Sequence, residues 1–345
     1  VSQTNDPTGS WYFYKIDADA ADNTWFDYPS FGFNKNWIIV TGNMFTISAD
    51  NFSTGKIWVL DKADFYSGGS GNFTAINSGS NGFTICPAVT FDSTINTEYL
   101  LQEWNGNSSG LGYVRLYTIT GAIGSEALTA VSYATTSSTW SEDQPGGADS
   151  GPQQGSTHKI DLGDTRMQNV VYRNGSVWGT HNVFLPASSS SRSAVQWWQL
   201  TTAGAVTQRS TIDYGSSTKF YAYPSIAVNA SNDVLIGYSS FSLTQYPSSA
   251  SSFRSRCEPL HPMESDYLYK AGEAKYYKTY SGTKNRWGDF TSTCIDPVND
   301  NDFWTLQEYA TTPSGGYDRW ATWWAKVAPA SDGGAGTWTW TTRRP

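Results

Sequence analysis

Acidic side chains recur along this chain in settings that could move a proton. Asp27 and Asp289 each open an aromatic-rich segment, Asp27-Tyr-Pro-Ser-Phe and Asp289-Phe-Thr-Ser-Thr. Gln307-Glu308-Tyr309 follows the second, and Gln102-Glu103-Trp104 is the same type of tripeptide elsewhere. Cleavage of a glycosidic bond needs two carboxyl groups, one protonating the leaving oxygen and one acting as base or nucleophile. On that reading Asp27 or Asp289 is the base and Glu103 or Glu308 the acid. Repetition argues the other way. Catalysis needs unique positions, whereas a scaffold reuses one residue in every repeat. A recurring Asp can accept backbone N–H bonds, and a recurring Glu can pair with a guanidinium such as Arg286.

Three further residues stand at comparable places and could contact a ligand: Arg166, His181 and Asn43. A guanidinium recognises carboxylates in bidentate fashion, but Arg166 stands without the arginine cluster that a sialidase uses. Thr211-Ile-Asp-Tyr-Gly-Ser-Ser-Thr218 resembles one sialidase-type Asp-box, a weak match in a chain so rich in Ser and Thr. A lone His in a strand, such as His181, is more often a hydrogen-bonded core residue. His158 and His261 lie in loops. No G-x-S-x-G, phosphate loop or dinucleotide fingerprint occurs.

Metal chemistry is not required by the sequence. Asp17, Asp19 and Asp22, and the run from Asp296 to Asp302, gather oxygens of the kind calcium prefers. Structural calcium is the one cofactor this suggests, although Asp and Asn are also ordinary turn residues. The three cysteines, Cys86, Cys257 and Cys294, form no C-x-x-C. The expected bridge, if one forms, is Cys257–Cys294, with Cys86 a buried thiol. Trp197-Trp198 and Trp323-Trp324 are adjacent pairs, and neighbouring strand residues face opposite ways. One ring of each pair should pack in the core, leaving the other to cover the opposite face or stack on a sugar.

These residues are set into a repeat. A polar or charged residue, an aromatic or Pro, alternating apolar residues, a turn and a strongly apolar strand recur from Asp27, Ile85, Arg166, Ala222 and Asp289, at intervals of 58, 81, 56 and 67 residues. A third strand follows each hairpin: KIWVLDK from Lys56, YVRLYTI from Tyr113, AVQWWQL from Ala194, AKYYKTY from Ala274 and WATWWAKV from Trp320. LTAVSYA and TWTWTT supply fourth strands. Four antiparallel strands at this period describe the blade of a β-propeller. The expected layout is one propeller domain over 1–345: a half blade at 1–24, then blades near 25–83, 84–163, 164–219, 220–284 and 285–345. Residues 137–160 and 242–273, rich in Ser, Pro and Gly, read as loops over one face. The N-terminal hairpin around Asp6-Pro7-Thr8-Gly9 is best read as the outer half of a sixth blade. The alternative is a five-bladed ring closed by SWYFYKI on the last blade. First strands of a propeller line its channel, so the anchors would converge on one rim.

Composition narrows the class. The 345 residues include 16 Trp, 21 Tyr and 16 Phe, with only 15% charged and a net charge of −8. An acidic chain without basic runs excludes nucleic acid as a natural partner, and no stretch approaches the roughly 18 apolar residues of a membrane span. Few lysines and cysteines and many Ser, Thr and Asn point outside the cell.

Several segments resemble a family of secreted, mostly bacterial β-propeller proteins. They are DPTGSWYFY, FDYPSFGF, DSGPQQGSTHKIDLGDTRMQNVVYRNGSVW, SAVQWWQL, YPSIAVNASNDVLIGYSS and RWGDFTSTCIDPVNDNDFWTLQEYA. The family's most specific mark is an Arg-Trp-Gly-Asp-aromatic run followed by Phe-Trp-x-x-x-Glu-Tyr. The resemblance runs from about residue 3 to 327. It implies a propeller, a secreted location and a sixth blade completed by upstream sequence, and it carries no particular activity. The expected function is therefore an extracellular binding propeller that recognises glycan or a surface protein through one face. A glycoside hydrolase or lyase, and a structural subunit that self-assembles, are the alternatives.

Overall fold

The computed structural model describes residues 1–256, 263, 265–329 and 338–343. It is all-β, built from successive four-stranded antiparallel meanders, the blade motif of a β-propeller. The first meander is β1 (Thr24–Phe33), β2 (Trp37–Thr46), β3 (Phe52–Asp61) and β4 (Phe73–Gly79), with one short helix, α1 (Lys62–Ser67), after β3. The second is β5 (Cys86–Val89), β6 (Glu98–Ser108), β7 (Leu111–Thr120) and β8 (Ala127–Thr136). The third is β9 (Met167–Arg173), β10 (Ser176–Leu185), β11 (Arg192–Thr201) and β12 (Val206–Ile212). The fourth is β13 (Lys219–Val228), β14 (Val234–Ser242), β15 (Gln245–Arg254) and β16 (Tyr267–Lys270). The fifth is β17 (Ser292–Ile295), β18 (Phe303–Ser314), β19 (Tyr317–Pro329) and β20 (Trp338–Arg343).

The chain divides into two compact units. One comprises Val1–Glu103, Val114–Ala134 and Thr202–Gly204; the other comprises Trp104–Tyr113, Thr135–Thr201 and the chain from Ala205 onward. In the first unit, period-2 alternation buries both faces of one sheet. Ile39, Ile57 and Val59 pack toward Ile85, Leu100 and Ile119 of the second meander. Ile38, Trp58 and Leu60, on the other face, are covered by Phe65 of α1 and by Val1, Tyr14 and Ile16. The inner strands β1 and β5 run parallel and meet at Phe33 and Val89. In the second unit, Trp178, Trp197, Tyr221, Ile226 and Tyr238 form one inter-sheet layer, and Leu235, Phe253, Phe303 and Val327 form the next.

Two first strands carry the same kink. The β1–β2 register breaks between Asp27 and Ser30, and the β13–β14 register breaks between Ala222 and Ser225. The residue at each break is the Tyr of a Tyr-Pro-Ser run, Tyr28 at φ 52° and Tyr223 at φ 57°. Pro has no N–H to give a ladder, so a bulge at this point loses little and re-aims the strand.

The structure corrects part of the expected layout. The described residues of 242–273 include two strands, β15 and β16, the outer strands of the fourth meander, and AKYYKTY from Ala274 forms no strand. Serine made β15 read as loop, yet residues 247–254 are all buried. Small hydroxyl side chains fit between two close sheets and find partners there: Ser249 donates to the Glu308 carbonyl at 2.9 Å, and Ser252 pairs with the Tyr238 hydroxyl at 2.7 Å. The N-terminal hairpin around Asp6-Pro7-Thr8-Gly9 is short: Ser2 bridges Trp11, Val1 and Tyr12 exchange hydrogen bonds and the Gln3 N–H donates to Ser10, while Tyr14 packs on Phe65 with ring centres 4.2 Å apart. In the last sheet the outer edge of β19 is taken by β20. Cys86 is buried; the expected Cys257–Cys294 bridge involves Cys257, which lies with His261 outside the described residues.

Candidate functional site

The predicted residues divide between the two units. Asp27 and Glu103 belong to the first, where both are half-buried. Asn43 stands opposite Asp27 in the β1–β2 register but is wholly buried. Its amide grips Thr84, accepting from the backbone N–H at 2.7 Å and donating to the hydroxyl at 2.8 Å. Thr84 sits at φ 45°, and this double bond holds the turn that leads into β5. Asn43 is therefore a structural staple and not a ligand contact.

His181 and Arg166 are likewise committed inside the second unit. His181 is fully buried, and burial lowers its pKa to about 4, so the ring is neutral. Its Nδ1 donates to the Thr165 carbonyl at 2.9 Å, and Nε2 accepts the Trp198 indole N–H at 3.2 Å. The indole is a pure donor, which fixes this tautomer. Both ring nitrogens are occupied, and the ligand role expected of His181 is withdrawn. Arg166 turns its guanidinium onto Asp164, two residues away, with an Nε–Oδ1 distance of 2.7 Å. Only 15% of its side chain is exposed, so it is not the open cation expected at a channel mouth. Trp197 and Trp198 are both buried, one against Trp178 and the other against Trp140 and His181, and neither ring is free to stack on a sugar.

Asp289 and Glu308 do come together. Glu308 on β18 places its carboxyl under the Gly288 backbone, whose N–H points at it. A Cβ on Gly288 would lie 1.8 Å from one carboxyl oxygen and 2.1 Å from the other, so a side chain there would have to displace the Glu308 carboxyl. Burial and the nearby charge of Asp289 push the Glu308 carboxyl up to about 8. Asp289 itself accepts from Arg286 at 3.0 Å. Trp287, between them, is buried and donates its indole N–H to Ser239 at 3.1 Å. Each member of the Arg-Trp-Gly-Asp run thus has a separate structural task.

This turn is joined to a second motif. Asp161 is nearly buried, accepts from Gln144 at 2.6 Å, and faces Lys284 at 3.4 Å and Arg286 at 3.9 Å. Asn285, 1% exposed, is the hub. Its backbone N–H donates to Asp149 at 2.6 Å, its side chain donates to the carbonyls of Lys159 and Tyr276, and its Oδ1 accepts from Lys278. Gln153 makes a second staple to Tyr276. Residues 149–161 and 276–289, more than a hundred positions apart, are fastened into one surface.

That surface encloses an open pocket of about 460 Å³ lined by Asp149, His158, Lys159, Tyr277, Lys284 and Asn285, with Thr157 and Thr283 at its sides. Tyr277 is 46% exposed and stacks on His158, with ring centres 3.9 Å apart and planes 23° off parallel. Burial, reinforced by the charge of Asp161, raises the Asp149 carboxyl above the usual range. Reasoning from repeat anchors missed this pocket because its residues lie between the blades. The available signal was the motif segment DSGPQQGSTHKIDLGDTR, which contains Asp149, Thr157, His158 and Lys159, and RWGD, which Asn285 borders.

The acidic runs considered for calcium have other occupations. Asp19 accepts from the backbone N–H groups of Ala21, Asn23 and Thr24 and from the Thr24 hydroxyl. Asp296 and Asp302 both face Lys326. Among the described residues, no three Asp, Glu, His or Cys side chains gather as a metal site would require.

No family model matches the chain, and no curated protein does. Solved structures with a similar course include an α-L-arabinanase of Penicillium chrysogenum complexed with arabinobiose: 11% identity, 91% of this chain and 80% of that one, TM-score 0.42. A levansucrase of Bacillus subtilis is 9% identical over 93% of this chain and 89% of its own, with a TM-score of 0.41. A sialidase of Trypanosoma rangeli in complex with the inhibitor DANA is 8% identical over 90% of this chain and 53% of its own, at 0.43. Likeness this distant bears on neither the ligand nor the chemistry of the present chain.

Proposed function

We propose that this chain is a secreted glycan-binding propeller protein whose ligand enters the pocket between residues 147–159 and 277–285. The carrying observation is the stacked His158–Tyr277 pair beside the Asp149 carboxylate held by Asn285. A sugar offers a C–H face and a rim of hydroxyls. An exposed aromatic ring meets the first, and a carboxylate and threonine hydroxyls meet the second. Two buried amides, Gln153 and Asn285, hold these groups in place before a ligand arrives, which lowers the ordering cost of binding. Calorimetric titration with acidic and neutral oligosaccharides tests the reading. Binding that Tyr277→Ala reduces about tenfold, the loss of ~1.4 kcal/mol, is the expected result. Unchanged binding in that variant would move the site elsewhere.

A glycoside hydrolase is the second reading, favoured by Glu308, a carboxylic acid held protonated at neutral pH beside the carboxylate of Asp289. An acid and a carboxylate with separated pKa values are what such chemistry uses. Against it, Glu308 is 5% exposed and lies beneath Gly288, where a glycosidic oxygen has no approach. Release of reducing sugar that disappears in Glu308→Gln, in a variant that still melts cooperatively, would restore the enzymatic reading over the binding one.

A further inference from the structure

The chain as a whole is acidic, with 30 Asp and Glu against 22 Lys and Arg. The segment that builds one wall of the pocket is the reverse. Residues 274–288 carry Lys275, Lys278, Lys284 and Arg286 and no carboxylate. The facing wall adds Lys159.

The carboxylates around this pocket are already engaged. Asp161 faces Lys284 and Arg286, and Asp289 takes Arg286. Asp318 accepts the Tyr277 backbone N–H at 2.8 Å, and Asp149 accepts the Asn285 N–H. The cations are less committed. The Lys284 side chain is 57% exposed and meets Asp161 only at 3.4 Å. Lys159 is exposed and forms no ion pair with any described residue. Two lysines and two threonines therefore line a cavity that also holds an aromatic platform and the engaged carboxyl of Asp149.

Resting on the glycan-binding reading above, we infer that the pocket selects an anionic glycan, one whose sugar ring stacks on Tyr277 while its acidic group sits between Lys159 and Lys284. The acidic group is either a ring carboxylate or a sulfate ester; both offer oxygens to ammonium donors and both suit a cationic pocket on an otherwise acidic surface.

The test is a titration of the full chain with three probes: an oligogalacturonate, a sulfated dextran oligomer and a neutral cello-oligosaccharide. One acidic probe should bind at least about tenfold more tightly than the neutral one, and raising salt from about 50 to about 500 mM should erase most of that margin, since screening reaches such exposed charges. The two acidic probes tell a carboxylate from a sulfate. Lys159→Glu, at an exposed position, should lose the margin and Lys159→Arg should keep it, with both melting like the parent. Equal binding of neutral and acidic probes, or a margin that survives Lys159→Glu, would overturn the inference and leave the glycan-binding reading standing. If none of the three binds, both fall together.

Discussion

Gln153 and Tyr276 are held together by two bonds that run in opposite senses. The Gln153 amide accepts the Tyr276 N–H at 2.7 Å and donates to its carbonyl at 2.8 Å, across 123 residues of sequence. The same amide nitrogen reaches the His158 carbonyl at 2.6 Å. One buried side chain thereby imitates a strand edge for a segment that is not a strand. Gln153→Ala would orphan the Tyr276 N–H and the His158 carbonyl, and an unsatisfied buried group costs about 1–3 kcal/mol. The expected outcome is a loss of about 2 kcal/mol in urea unfolding, together with loss of saccharide binding. Retained binding would show that the pocket walls stand without this staple.

A side chain at Gly288 would meet the Glu308 carboxyl. Gly288→Ala should destabilise by about 1–3 kcal/mol through overpacking against Glu308. In Glu308→Ala the same change should cost much less, because the two sites share one clash. A double-mutant cycle by chemical denaturation measures the coupling. Additive losses would mean that the backbone itself, and not the carboxyl, sets the requirement.

The protonation of Glu308 should be visible as a pH-dependent stability. Its folded pKa of about 8 lies above the ordinary 4.5, so the native state holds a proton that the unfolded chain releases. The unfolded state binds fewer protons between those values, and stability must fall as pH rises from about 4.5 to about 8, then level off. Burial and the charge of Asp289 raise the folded pKa, and the Gly288 N–H lowers it. Glu308→Gln keeps the shape and removes the titration. Melting temperatures from acid to mildly alkaline pH should therefore slope less in the variant, which should be the more stable protein above pH 8. Parallel curves would show that the carboxyl ionises freely in the fold.

His181 should contribute with the opposite sign. Its folded pKa of about 4 lies below the ordinary 6.5, so the native state binds fewer protons than the unfolded one in that interval. The stability it confers is complete above 6.5 and is lost as pH falls toward 4, a span worth up to about 3 kcal/mol. His181→Gln should flatten this acid limb while costing stability at neutral pH, because the Thr165 carbonyl and the Trp198 indole lose well-placed partners. An acid limb unchanged in His181→Gln would assign that loss to other groups.

The sequence alone determined the repeat. Alternation of apolar and polar residues, as in WIIVTGNMF and KIWVLDK, marks strands buried on one or both faces, because the strand period is two. The recurrence of that pattern from Asp27, Ile85, Arg166, Ala222 and Asp289 gave the five hairpins that begin the meanders. Even a local distortion was written there, since Tyr-Pro-Ser at 28–30 and 223–225 marks the same bulge twice.

Tertiary structure decided what local pattern cannot express. QYPSSASSFR became a buried strand because its run of serines and alanine fits between packed sheets, while the aromatic run AKYYKTY stayed out of any ladder and placed Tyr277 in the lining of the pocket. His181, Asn43 and Arg166 looked available because each is polar and stands level with the start of a first strand. His181 and Asn43 were spent on partners that become neighbours only on folding, and Arg166 on Asp164, two residues away. Asp149 and Asp161 were legible as motif residues and Asn285 only borders one, and nothing local says that a loop before the third sheet and a turn before the fifth share one surface. That meeting rests on a few buried amide bonds between segments more than a hundred residues apart, a contact that carries no periodicity and so leaves no trace in the pattern of either segment.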